Sequence, residues 1–179
     1  MSKIDNLINM ALRAGFSKAG ELKMDALEFL PQVRDMCAAD LCHSYAKNWT
    51  CPPACGSLEE IAAKAATYKK GLLVQTIGHT EDDFDWDSIE ATSQKHQKTF
   101  HIFTAKLKKL YPDILPMGAG ACSICPICTY PNSPCLHPDL AVISMEAYGL
   151  VVSSVCEKSG LPYNYGKNTI SFTSAYLIK

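Results

Sequence analysis

Eight of the nine cysteines in this sequence fall into two groups of four: Cys37, Cys42, Cys51 and Cys55, then Cys122, Cys125, Cys128 and Cys135. Thiolate sulfur is a soft ligand that selects zinc or iron–sulfur clusters, so each group is a candidate metal site. The second is the more regular. Cys122, Cys125 and Cys128 stand at C-x2-C-x2-C spacing, which sets three thiolates around one centre with backbone amides turned inward to the sulfides. Cys135 follows after six residues rather than the three of a bacterial ferredoxin, and Pro134 precedes it. That longer step suggests that Cys135 closes the same cluster instead of serving a neighbour. Zinc is the alternative, although it generally takes two C-x2-C knuckles set far apart.

The first group is spaced x4, x8 and x3. A helix entering it must end between Cys37 and Cys42, Pro52-Pro53 favours an extended stretch after Cys51, and Gly56 permits a turn. Ser57-Leu58-Glu59-Glu60 reads as a capping box. The amides of that helix start would favour thiolates. Three readings stand: a second [4Fe-4S] cluster, a zinc site with His43 as a possible ligand, or a three-cysteine site without Cys55 whose open iron binds substrate. Tyr45 and Trp49 could shield a cluster here.

Three blocks resemble a family of small prokaryotic proteins, predicted to bind metal, with a domain of unknown function. They are Cys37 to Gly56 with its Cys-Pro-Pro core, Gly118-Ala-Gly-Ala-Cys through Tyr130-Pro131 to Pro134-Cys135, and Ser144-Met-Glu-Ala-Tyr-Gly149. The resemblance implies metal at the cysteines, as iron–sulfur clusters, in bacteria or archaea. It implies no reaction. Tyr165 and the Tyr176 strand look family-like without a role attached.

The elements that must position these residues read as one α+β (or α/β) domain over 1–179, a small sheet flanked by helices, with cysteine loops at 37–56 and 118–138. Apolar residues at 4, 7, 8, 11 and 12 give a helix ending at Gly15. Lys18 to Phe29 reads as a strand, Leu30 to Met36 as a short helix, and Ser57 to Tyr68 as a capped one. Leu72 to Ile77 is a buried strand, Ser88 to Leu110 a long helix closed by Tyr111-Pro112. Ile114 to Ala121 is partly extended, Ser144 to Ser159 reads as a helix, and Thr169 to Ile178 alternates as a strand.

Cys156, among Val151, Val152 and Val155, is expected to be core. His79, His96 and His101 have no paired spacing, while His137 is either a solvated loop residue or a donor to a cluster sulfur. Glu146 and Tyr148 are read as packing beneath the second group, with a substrate-facing role as the rival. The acidic run Glu81 to Asp87 is a solvated loop, and Lys106, Lys108 and Lys109 suit a helix C-terminus.

A formal charge of −1 with 47% apolar and 20% charged residues describes a globular protein with no nucleic-acid footprint. No window reaches the roughly 18 apolar residues of a membrane span, and the opening residues hold no signal-like stretch. A cytoplasmic location follows as the expectation, where thiols stay reduced; in an exported chain nine cysteines would instead suggest four disulfides. The function expected is electron transfer, with a redox partner protein. The rivals are an enzyme acting on a small-molecule substrate at an open iron, as Lewis acid or sulfur carrier, and a structural zinc module.

Overall fold

A computed structural model describes residues 2–82 and 84–179, so Asp83 of the acidic run lies outside the described residues. Helix α1 spans Lys3–Ala14. Ser2 and Asp5 cap it reciprocally, and Gly15 ends it at φ 111°. Strand β1 (Lys18–Leu22), helix α2 (Pro31–Ala38) and helix α3 (Leu58–Ala65) follow, then strand β2 (Lys70–His79) and the long helix α4 (Trp86–Leu110). Strand β3 (Leu115–Met117), helix α5 (Val152–Lys158) and strand β4 (Thr169–Ile178) complete the chain.

The sheet runs β1-β2-β4-β3 with every pair antiparallel. Its centre is β2 against β4, paired without interruption from Lys70↔Ile178 to His79↔Thr169. Side chains alternate across a strand, so Leu72, Val74, Tyr176 and Ile178 face one side and Leu73, Ala175 and Leu177 the other. The first side is covered by Leu7 and Ala11 of α1 and by Phe100, Phe103 and Leu107 of α4. The second is covered by α3, α5 and the segment Met145–Leu150. Burial on both faces is why β2 carries the unbroken apolar run Leu72-Leu73-Val74 and β4 the run Ala175 to Ile178.

Two elements differ from the sequence reading. Strand β1 stops at Leu22, opposite Gly71 near the start of β2, and Met24–Ala26 forms a 3-10 turn where the reading had strand to Phe29. Having run out of partner, the chain leaves the sheet. The helix expected from Ser144 begins only at Val152. Ser144 instead bridges Gly118 in parallel, with Gly118 N–H donating to Ile143 O and Met145 N–H to Gly118 O. A turn then closes at Gly149, φ 82°, where a Cβ would stand 2.8 Å from Leu58 Cδ2 and 3.0 Å from Leu30 O. Only glycine fits there.

Of the scattered histidines, His96 and His101 border one small cavity beside residues 118–123. His96 is sealed in the core, Nδ1 against Thr76 Oγ1 at 2.9 Å and Nε2 against Ser174 Oγ at 2.8 Å. Cys156 is fully buried beside Gln75 and Thr173, as its surroundings in the sequence predict. Among the described residues no helix is long and apolar enough to cross a membrane.

Candidate metal centre

Helix α2 delivers Cys37 in its last turn and ends at Ala38, which frees the chain to turn before Cys42. Asp40, His43 and Ala46 then adopt left-handed backbone conformations, at φ 52°, 55° and 53°. These bends are held by Asp40, whose carboxylate accepts from Tyr45 N–H and from Lys47 Nζ, both at 2.8 Å. The stretch after Cys51 is not extended: Pro52-Pro53 is a cis peptide within a run of turn, and Cys55 N–H donates back to Cys51 O. This reversal carries Cys51 and Cys55 inward, where both are buried, while Cys42 stays exposed. Gly56 (φ 91°) then leads to the capping box that the sequence predicts, Glu60 N–H donating to Ser57 Oγ and Ser57 N–H to Glu60 Oε2.

The four thiols of this group lie within electrostatic reach of one another. Burial pushes Cys51 up to about 11, with Thr50 opposing the rise and Cys42, Cys55 and Cys37 adding to it. Cys37 is raised by burial, then by Cys42 and Glu146, with Arg34 pulling it back. Cys55 is raised by burial, again against Arg34. Thiols held up in this way must lose protons when metal binds, so binding would release protons to solvent.

The second group surrounds a shared space. Cys122, Cys125, Cys128 and Cys135 line one cavity, with Trp49 and Thr50 of the first loop in its wall. Burial raises Cys122; the Ile124 amide, donating to its sulfur, opposes that rise, and Cys135, Cys125 and Cys128 reinforce it. An inward amide is what the C-x2-C-x2-C spacing predicts. His137 borders the same cavity yet is solvent-exposed.

The two loops are packed on each other. Asn48 Nδ2 donates to Cys122 O at 3.1 Å, and Trp49 Nε1 donates to Ser133 O at 3.1 Å and Thr129 Oγ1 at 3.3 Å. The Trp49 ring meets Tyr130 edge-on, centroids 4.9 Å apart. Trp49 therefore shields the second group rather than the first. His43 and Lys47 face Cys125, Pro126 and Tyr130 across a groove of about 500 Å³. Each of the nine cysteines is a free thiol. Among the described residues no three Cys, His, Asp or Glu side chains form a cluster tight enough to hold a metal ion as they stand.

Glu146 and Tyr148 belong beside the first group, not beneath the second. Tyr148 is core, and burial, with Cys55 near it, pushes its hydroxyl up to about 12. Glu146 bears on Cys37, and its buried Oε2 has no hydrogen-bond partner. The sequence reading missed Arg34, which joins three parts of this site: Nε donates to Ala147 O at 2.9 Å and Nη1 to Gly56 O at 2.6 Å. It also missed Asn48 and Thr50. Arg34 sits three residues before Cys37, one helix face apart, which was the available signal.

The chain is a single α+β unit with nine free thiols, eight of them in two loops that pack on each other. Residues 20–178 match DUF2284, predicted metal-binding protein, and the chain belongs to that family. No curated protein and no solved structure matches it.

Proposed function

We propose that the chain holds two [4Fe-4S] clusters, on Cys37, Cys42, Cys51, Cys55 and on Cys122, Cys125, Cys128, Cys135, and works in electron transfer with a redox partner protein. The observation that carries this is the cavity lined by all four cysteines of the second group, three of them at ferredoxin-like spacing with an amide donated to Cys122. An all-thiolate set suits such clusters and zinc alike; the triple spacing favours the cluster. When bound, a cluster supplies a one-electron store. The chain's own part is to ligate it, to shield it with Trp49 and Tyr130, and to join the two loops through Asn48. Free thiols throughout suit a reducing, cytoplasmic setting.

Cys125→Ala tests the assignment. The variant should lose about half of the iron and acid-labile sulfide of the unsubstituted chain while keeping its far-ultraviolet circular dichroism. Full iron and sulfide content in Cys125→Ala would remove the second group from the account.

The reading of the first centre as catalytic, with an open iron, has one observation behind it. The exposed corner of the group is Cys42, whereas Cys55 is buried. If a substrate reaches this centre, it does so at Cys42, and Cys42→Ser should then leave a cluster that binds small anions.

A further inference from the structure

Arg34 lies close to the first cysteine group by three independent routes. It precedes Cys37 by one helical turn in α2. Its Nη1 donates to the carbonyl of Gly56, the residue after Cys55. Its Nε donates to Ala147 O, the same carbonyl that Cys55 Sγ meets at 4.0 Å. These two backbone bonds clamp the guanidinium plane and leave Nη2 over. That nitrogen is buried and has no hydrogen-bond partner among the described residues.

A buried guanidinium donor without a partner is destabilising in an apolar setting unless something accepts from it. No carboxylate pairs with Arg34 among the ion pairs of the described residues. Glu146, the nearby acid, has its own buried oxygen unpartnered. What lies beside Arg34 instead is sulfur: Cys37 one helical turn on in α2, and Cys55, whose Sγ meets the Ala147 carbonyl that Arg34 Nε also binds.

We propose that Arg34 is the electrostatic partner of the first metal centre, its Nη2–H pair donating to the sulfur shell held by Cys37 and Cys55. The inference rests on the reading of this group as a metal centre and says what the protein adds to it. A thiolate-bound centre carries net negative charge, and a fixed cation donating to its sulfur stabilises that charge. It stabilises the more negative, reduced state most, so the potential of an iron centre rises.

The test uses the full chain carrying Cys125→Ala, so that only the first centre contributes, with Arg34→Gln or Arg34→Lys added. Metal retention against a chelator and the midpoint potential are measured without oxygen, and the melting temperature is measured on the metal-free forms. Arg34→Gln should release metal about 10- to 100-fold more readily and lower the potential, and Arg34→Lys, which restores the charge, should recover most of the potential. A brace acting only through Ala147 O and Gly56 O would lower the metal-free melting temperature and leave retention and potential unchanged, which overturns the proposal. If the Cys125→Ala chain with Arg34 intact holds no metal, the metal-centre reading falls, and this inference with it. If it holds zinc, retention alone decides.

Discussion

The side-chain amide of Asn48 donates to the backbone carbonyl of Cys122, 74 residues away in the chain, at 3.1 Å. One residue of the first cysteine loop thereby holds the first cysteine of the second group. Asn48 Oδ1 also accepts from Thr50 N–H at 3.1 Å and from Thr50 Oγ1 at 3.0 Å, so both ends of its amide are committed. A short polar chain therefore runs from Cys122 through Asn48 to Thr50, the residue before Cys51, and joins the two loops.

Asn48→Ala should therefore affect both groups. It leaves Cys122 O and the Thr50 donors without partners, at a cost of about 1–3 kcal/mol. Thermal unfolding of the metal-free chain reads that loss. Metal should also be released faster from the second group, although the substitution lies in the first loop. An unchanged rate there would mean that the loops are neighbours without coupling.

Gly149 packs between Leu30 and Leu58, its carbonyl accepting from Leu30 N–H at 2.8 Å just before α2 begins. Gly149→Ala puts a Cβ 2.8 Å from Leu58 Cδ2 and demands a left-handed alanine. We expect a loss of roughly 2–4 kcal/mol in urea unfolding, from strain and steric overlap together. The α2 start must shift to relieve the overlap, so metal at Cys37 should be held less tightly as well.

Burial holds His96 down to about 4, against an ordinary 6.5. Between those values the unfolded chain binds a proton that the folded chain does not, so stability falls as pH drops through that window. The loss from this one group approaches roughly 3 kcal/mol near pH 4. Urea unfolding of the metal-free, reduced chain at pH 7 and pH 4.5 measures it, and His96→Gln should flatten the difference. An acid loss of the same size in His96→Gln would place its origin elsewhere.

The parts of the fold that the sequence made legible are those governed by local rules. Ser57 announces its capping box, Gly15 its helix end, and Thr169 to Ile178 its alternation, and each is found where read. The misreadings arise where a distant segment decides. Ser144–Leu150 has helix-like content, but its pairing with Gly118 and the packing of Gly149 against Leu30 make it a sheet-edge turn. The cysteines themselves are visible as spacing. Their surroundings are not, because Arg34, Asn48 and Trp49 reach the sites through contacts 22 to 113 residues apart in the chain. Trp49 was expected to cover its own loop and covers the other one, a choice that only the packing of the two loops can make.

The central claim is that both cysteine groups hold [4Fe-4S] clusters, and purification without oxygen followed by iron, acid-labile sulfide and zinc analysis tests it most directly. About eight irons and eight sulfides per chain, with the broad absorption of cubane clusters near 400 nm, is the result that the account predicts. About two zincs per chain, no sulfide and a colourless protein would contradict it and leave two structural metal sites in place of an electron path.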